Sequence, residues 1–206
     1  MNAQHSGQQI AGIVLAAGKG QRFDPSGVRN KLLQPLPNGK TVAATTGANM
    51  RLKMNRVIAV VPSGDDRLAA EFVQARCAVT MLPGSAQQMS ESIVHAINLT
   101  NDADGWIIAL ADMPLVNPDT YVKLLTALES GAGIAVPVFG GTRGNPVAFA
   151  REHGARLAQL SGDVGARSLL RLHSVIDLKV DDPGVCRDID TEADYLSLSH
   201  AVRHAG

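Results

Sequence analysis

Residues 10–23 read IAGIVLAAGKGQRF, a short apolar run that leads directly into a glycine-rich turn. The apolar part, Ile10–Ala16, is continuous rather than alternating, which is typical of a strand buried on both faces of a parallel sheet. Comparable short runs occur at Val57–Val61, Val79–Leu82 and Trp106–Ala111. The pattern therefore predicts a parallel sheet whose two faces are covered by other elements.

Segments with the apolar spacing of helices lie between these runs. They are Asp66–Arg76, Ser90–Leu99 and Asp119–Leu128. Ser90 and Asp119 are residue types that cap helices, and Pro118 suits the first position of a helix. Strands that alternate with helices predict a doubly wound α/β fold.

The alternation of strand and helix patterns stops after Gly131, where Gly131–Gly133 and the stretch GGTRGNP at 140–146 are rich in glycine. Val147–Phe149 and Val175–Val180 are predicted as further strands, and a last helix is expected at Glu192–Arg203, starting near Thr191. An antiparallel strand is expected in this part. Residues 1–206 are thus predicted to form a single domain, a three-layer α/β/α, Rossmann-like fold with a mainly parallel sheet.

Composition excludes several classes of protein. The chain has 206 residues, with 19 basic and 19 acidic side chains and a formal net charge of zero. A general nucleic-acid or acidic-membrane binder would normally have a basic excess, so neither partner is expected. We find neither a signal peptide nor an apolar run long enough to span a membrane, which predicts a cytoplasmic protein. Cys77 and Cys186 are expected to be reduced and buried.

The turn after the first predicted strand has the features of a phosphate site. Gly18 and Gly20 allow backbone N–H groups to approach an anion closely, and Lys19, Arg22 and Lys31 add positive charge. A Walker A loop is excluded because Gly20 follows Lys19, and a GxGxxG fingerprint is excluded because residue 23 is a phenylalanine. An ordinary strand-to-helix turn is the alternative to phosphate binding.

Two acidic positions are expected on the same edge of the sheet. Asp112 follows the apolar run Trp106–Leu110, and Asp190 lies in the sequence DIDT at 188–191. Carboxylates beside phosphates repel them unless a cation intervenes, and Mg²⁺ prefers one or two carboxylates together with phosphate oxygens. Both residues are therefore candidate Mg²⁺ ligands, with a turn or helix cap as the alternative role.

These features, in this order, resemble the MobA-like nucleotidyltransferases, and most closely their molybdenum cofactor cytidylyltransferase branch. The matching segments are LAAGKGQRF at 15–23, NKLL at 30–33, LADMP at 110–114, GTRGNPV at 141–147, SGDVGAR at 161–167 and DIDT at 188–191. The resemblance implies a GT-A-type nucleotidyltransferase fold. It also implies Mg²⁺-dependent transfer of CMP from CTP to molybdopterin, with release of pyrophosphate and a molybdoenzyme as client.

The family pattern also implies a role for each matching residue. Catalysis falls to Arg22, Lys31 and Asp112, and the metal to Asp112 and Asp190. The implied nucleotide contacts are Leu15, Ala16, Ala17, Gly18, Gly20, Arg22, Lys31, Ser63 and Gly64. The implied acceptor contacts are Arg143, Asn145, Asp163 and Arg167. Ala17 resembles the cytidylyl branch, because the guanylyl branch typically has glycine there.

The chain departs from the family pattern at four places: the longer run at 23–29, Gln88 in place of glycine, Asn145 in place of histidine, and the polar segment Thr41–Lys53 where an apolar helix is expected. These departures bear on the identity of the acceptor. The alternatives are a transferase that uses GTP, ATP or another acceptor, an NAD(P)H-dependent oxidoreductase on the same scaffold, and a non-catalytic protein that delivers the cofactor.

Overall fold

The computed structural model describes residues 8–18, 20–83, 88–162 and 165–204, with residues 165, 167 and 199–204 described by their backbone alone. The strands are β1 (Ile10–Leu15), β2 (Val57–Pro62), β3 (Ala78–Leu82), β4 (Gly105–Leu110), β5 (Ile134–Phe139), β6 (Thr142–Arg143), β7 (Val147–Ala150) and β8 (Ile176–Lys179). The α-helices are α1 (Val42–Arg51), α2 (Asp66–Gln74), α3 (Met89–Leu99), α4 (Pro118–Glu129), α5 (Gly154–Leu157), α6 (Leu169–Leu172) and α7 (Glu192–His204).

The described strands form one eight-stranded sheet with the order β3-β2-β1-β4-β7-β5-β6, and β8 pairs with β5. The pairs β1–β2, β2–β3, β1–β4 and β5–β8 are parallel, whereas β7 is antiparallel to both β4 and β5. The prediction of a mainly parallel sheet with an antiparallel strand is therefore confirmed.

Apolar side chains cover both faces of the sheet and produce three layers. Helices α1, α2 and α4 pack on one face through residues such as Met50, Phe72 and Leu124. Helices α3 and α5 pack on the other face, where Ile93 and Trp106 are almost completely buried. Each fully buried side chain of this size stabilises the fold by about 1.5–3 kcal/mol, so the two clusters supply the main driving force.

Several elements were not predicted from the sequence, and α1 and β5 are the longest of them. The polar, glycine-interrupted segment Thr41–Lys53 contains α1, which Thr41 caps by accepting a hydrogen bond from the N–H of Ala44. Strand β5 was missed as well. It contains Pro137, which cannot donate to a ladder, but the carbonyl of Pro137 accepts from the N–H of Gly144 at 2.8 Å.

Predicted details at two helix starts are wrong. Ser90 does not cap α3, because it is buried within the first turn, and Gln88 is the N-cap residue. Asn117 rather than Asp119 caps α4, and its side chain accepts a hydrogen bond from the N–H of Asp119 at 2.9 Å. Pro118 opens α4 as predicted.

Both cysteines are free thiols, but only one is buried. Burial raises the pKa of Cys77 to about 11, so this thiol is protonated at neutral pH. Cys186 is exposed, which contradicts the prediction that both thiols are buried. None of the helices in the described ranges is long and apolar enough to cross a membrane.

Candidate active site

A cavity of about 710 Å³ opens where β1 and β4 end. Ten residues with predicted roles line it: Leu15, Ala16, Ala17, Gly18, Gly20, Arg22, Lys31, Asp112, Asn145 and Asp190. Ligands of open α/β sheets bind beyond the carboxyl ends of the strands, and the cavity lies at that edge. Its lining also includes an apolar wall of Ile93, Ile108, Leu110, Val147 and Phe149.

The glycine-rich turn forms one rim of the cavity. Gly20 has a φ of +58°, a conformation that glycine adopts without a steric penalty. Its carbonyl accepts hydrogen bonds from the N–H groups of Phe23 and Asp24 at 3.0 and 3.2 Å. Apart from its chain neighbours, no described residue comes within 4 Å of the position that a Cβ would occupy at Gly18, so its backbone is open to a ligand.

Lys31 reaches the cavity from a 3₁₀ turn over Lys31–Leu33. Asn30 caps this turn by accepting a hydrogen bond from the N–H of Leu32 at 2.9 Å. The lysine is only 8% exposed, yet its Nζ lies 2.6 Å from Oδ2 of Asp112 and 3.2 Å from Oδ1 of Asp190. A buried ammonium group with two carboxylate partners is held in a defined position.

Asp112 is fixed by the backbone on both sides of it. The N–H of Ala111 donates to the carbonyl of Leu15 at 3.0 Å, and the carbonyl of Asp112 accepts from the N–H of Ile189 at 3.0 Å. Its Oδ1 is buried and has no hydrogen-bond partner among the described residues. Burial raises the pKa of Asp112 above its ordinary value, Lys31 opposes that rise, and Asp188 adds to it.

The hydrogen bond from the N–H of Ile189 to Asp112 brings the carboxylates of Asp188 and Asp190 close to that of Asp112. Oxygen atoms of Asp112, Asp188 and Asp190 lie within 4.8 Å of one another. Arg22 pairs with the second oxygen of Asp190, with NH1 2.6 Å from Oδ2. Three carboxylates and an unpartnered buried oxygen fit a hard divalent cation, which prefers oxygen ligands.

Asp188 was not among the predicted site residues. A usable signal was present, because alternate residues of an extended segment point to the same side, so Asp188 and Asp190 of DIDT can both face the cavity. Asp190 is not the cap of α7. Thr191 takes that role, and its Oγ1 accepts a hydrogen bond from the N–H of Asp194 at 3.2 Å.

The structure does not bring every predicted residue to the cavity. Ser63 and Gly64 form the turn after β2 and are not part of the lining. Arg143 lies on β6 and is also outside the lining; its Nε pairs with Asp177 at 2.7 Å. Asp163 and the side chain of Arg167 lie outside the described residues.

Three cavity residues from the start of α3, Gln88, Met89 and Ser92, were missed as site residues. Helices that follow parallel strands begin at the carboxyl edge of the sheet, so the start of α3 was a predictable part of the site. The first turn of this helix is fixed by the N–H of Gln88, which donates to Oε2 of Glu91 at 2.9 Å.

The fold and the chemistry of this cavity define a nucleotidyltransferase. The chain belongs to the MobA-like NTP transferase domain family, whose model matches residues 12–178. The resemblance stated from the sequence is therefore confirmed at the level of the family.

Two solved structures are similar over nearly the whole chain. The Rv0371c homolog from Mycobacterium sp. strain JC1 is 26% identical, with 96% of this chain and 98% of that one covered and a TM-score of 0.82. Rv0371c from Mycobacterium tuberculosis H37Rv in complex with manganese is 27% identical, with coverage of 94% and 99% and a TM-score of 0.76.

A curated relative has a longer chain. The bifunctional protein GlmU of Rhodospirillum rubrum is 27% identical over 148 residues, which cover 69% of this chain and 31% of the relative. The chain thus spans about three-tenths of the length of that relative.

Proposed function

We propose that the protein transfers CMP from CTP to molybdopterin and releases pyrophosphate, with Mg²⁺ as its cation. The observation that carries this proposal is the group of three carboxylates and two cationic side chains beside the glycine-rich turn. Such a group suits a phosphate ligand that arrives with a divalent cation. The manganese complex of Rv0371c, a similar protein, also favours a divalent cation.

The residues of the cavity can perform this transfer without a covalent intermediate. Backbone groups of Gly18 and Gly20 would hold the triphosphate, while Lys31 and Arg22 would neutralise the charge that develops on the leaving pyrophosphate. Asp112, Asp188 and Asp190 would hold the cation, which when bound supplies further charge neutralisation. The protein's contribution is then to position the acceptor phosphate in line with the α-phosphorus.

The cavity wall and the segments that match the family support molybdopterin as the acceptor and cytosine as the nucleobase. The apolar wall around Val147 and Phe149 suits a flat ring such as a pterin, and Asn145 offers an amide to its polar edge. Asp163 and Arg167 remain proposed acceptor contacts. Ala17 favours cytosine, with Ser63 and Gly64 proposed for contacts to the base, and a molybdoenzyme is the proposed client.

The test is release of pyrophosphate from CTP in the presence of Mg²⁺ and molybdopterin. We expect Asp112→Asn to lower the rate by about 10²–10³-fold, the usual cost of removing one group that organises charge in the transition state. Asp119→Asn, an exposed carboxylate of α4, is the matched control and should retain the wild-type rate.

Thermal-shift measurements with CTP, GTP, ATP and NAD(P)H in the presence of Mg²⁺ test two things together. They show which nucleobase the protein prefers and whether it is a nucleotidyltransferase or an oxidoreductase. Stabilisation by CTP above the other nucleotides supports the proposal. Full turnover by Asp112→Asn contradicts the role given to that residue, and stabilisation by NAD(P)H without any by CTP would favour the oxidoreductase instead.

A further inference from the structure

The candidate metal site already holds a cation of the protein itself. Nζ of Lys31 lies 2.6 Å from Asp112 and 3.2 Å from Asp190, and NH1 of Arg22 lies 2.6 Å from the other oxygen of Asp190. These are two of the three carboxylates that the proposed function assigns to the divalent cation. Asp188, the third, makes no ion pair with any described residue.

The two oxygens of Asp112 differ in their partners. Lys31 occupies Oδ2, whereas Oδ1 is buried and has no hydrogen-bond partner among the described residues. A Mg²⁺ ion binds carboxylate oxygens at about 2.0–2.1 Å. If it bound either oxygen of Asp112 with the ammonium group still in place, two positive charges would share one carboxylate and repel each other.

We propose that Lys31 is the counter-ion of this carboxylate group in the nucleotide-free protein, and that a divalent cation displaces its ammonium group toward the phosphates of the nucleotide. The inference rests on the proposed function for the phosphate ligand. Asp188 is free to bind the incoming cation first. Lys31 then has a second use, because the ammonium group released from the carboxylates is one of the groups that neutralise the leaving pyrophosphate.

The exchange predicts that cation and phosphate bind cooperatively. Without phosphate, displacement leaves the ammonium group of Lys31 without a carboxylate partner, so the cation binds weakly. With phosphate present, Lys31 gains a new anionic partner and the cation binds more tightly. Such coupling is reciprocal: each ligand raises the affinity for the other by the same factor.

Mn²⁺ binding to the nucleotide-free protein, followed by the electron paramagnetic resonance signal of free Mn²⁺, tests the exchange. We expect Lys31→Met, which removes the charge and keeps the length, to bind Mn²⁺ about tenfold more tightly than the wild type, within the usual range of coupling between sites. Lys40→Met removes the same charge from an exposed turn and should stay within about twofold of the wild type. Equal affinities in Lys31→Met and the wild type would overturn the proposal.

Pyrophosphate serves as the phosphate probe in a second titration. It should raise the Mn²⁺ affinity of the wild type by a larger factor than that of Lys31→Met, because only the wild type has an ammonium group to transfer. An equal factor in both proteins counts against the exchange. Neither titration uses CTP, so a protein that shows the exchange but releases no pyrophosphate from CTP would refute the proposed function alone.

A measurement on the wild type follows the Lys31 ammonium group directly. The ¹⁵N NMR signal of the Lys31 ammonium group, assigned by its absence in Lys31→Met, should shift when Mg²⁺ alone saturates the protein. A Lys31 signal that stays unchanged at saturating Mg²⁺ would overturn the proposal, because the ammonium group would still be on Asp112.

Discussion

Asp182 is a buried carboxylate that joins separate segments near the cavity. It accepts hydrogen bonds from the N–H of Asn117 at 2.9 Å, the hydroxyl of Thr120 at 2.6 Å and the N–H of Gly184 at 3.0 Å. The turn that it organises also supports the cavity, since the carbonyl of Val185 accepts from the N–H of Asn145 at 2.9 Å. One side chain therefore ties the start of α4 to the segment that carries Asn145.

Replacement of Asp182 tests this role. We expect Asp182→Ala to lower the free energy of unfolding by about 3 kcal/mol, because it leaves buried donors without an acceptor. Asp181→Ala, at the exposed neighbouring position, should change it by less than about 0.5 kcal/mol. Urea denaturation of both variants measures the difference, and equal stabilities would show that water satisfies the donors equally well.

The sequence identified Lys31, Asp112 and Asp190 as residue types in suitable places, but it did not predict that they contact one another. Lys31 and Asp112 are 81 positions apart, and their contact depends on the parallel pairing of β1 with β4. The role of Asp182 was equally inaccessible, because nothing in the local sequence distinguishes it from the exposed Asp181 beside it. Contacts of this kind follow from topology, which a local pattern does not encode.

Helix α7 and the loop at 23–29 form one structural unit over the glycine-rich turn. Phe23 is 3% exposed, and its ring meets the ring of Tyr195 edge-on at 6.3 Å. The hydroxyl of Tyr195 donates to the carbonyl of Pro35 at 2.5 Å, and Arg29 pairs with Glu192 at 2.6 Å. The longer loop, one of the departures from the family pattern, thus secures the helix that follows Asp190.

The apolar contact should stabilise this unit more than its exposed ion pair does. Phe23→Ala is expected to lower the free energy of unfolding by about 3–5 kcal/mol, the usual cost of removing a buried phenylalanine. Val28→Ala is the matched control in the same loop, since Val28 is 84% exposed, and should cost less than about 0.5 kcal/mol. Thermal or urea unfolding measures the stability of both variants. If Phe23→Ala is as stable as Val28→Ala, the buried phenylalanine does not stabilise this unit.

Helix α1 explains why some elements could not be predicted. Most of its residues are buried, including Val42, Ala43 and Met50, so it has no polar face and gives no amphipathic period. Thr46 is tolerated inside because its hydroxyl donates to the carbonyls of Val42 and Ala111. Gly47 allows close packing, as a Cβ there would lie 3.1 Å from Cys77 and Phe72. Tertiary packing, rather than local pattern, selects this helix.

For the molecule as a whole, the net charge of zero conceals a local concentration of charge. The sequence predicted a small phosphate ligand because the useful charges occur in a few motifs rather than in a basic surface. In the structure, Arg22, Lys31 and three aspartates meet at one cavity. The fold class was predictable because strand and helix patterns repeat along the chain, whereas the pairing of opposite charges at the site required the folded topology.

Stability of the whole molecule should depend on pH through two sets of groups. Hydrogen bonds lower the pKa of Asp24, Asp102, Glu192 and Asp194. Their stabilising contribution is present at neutral pH and is lost in acid, as the pH falls through their folded-state pKa values. His153 affects stability at higher pH than these carboxylates do, because the ordinary pKa of histidine is 6.5. His153 is 4% exposed, and burial lowers its pKa in the folded protein.

His153 therefore gives the pH dependence between neutrality and the acid range. The folded protein keeps this ring neutral, with Glu152 3.4 Å away and the ring of His173 at 4.8 Å, whereas the unfolded chain takes up a proton below about pH 6.5. The unfolded state then binds more protons, so the free energy of unfolding should fall as the pH drops from 7 toward 5. Urea titrations at several pH values should show a smaller fall in His153→Phe and His153→Gln than in the wild type. A slope unchanged in both variants would assign the pH dependence to other groups.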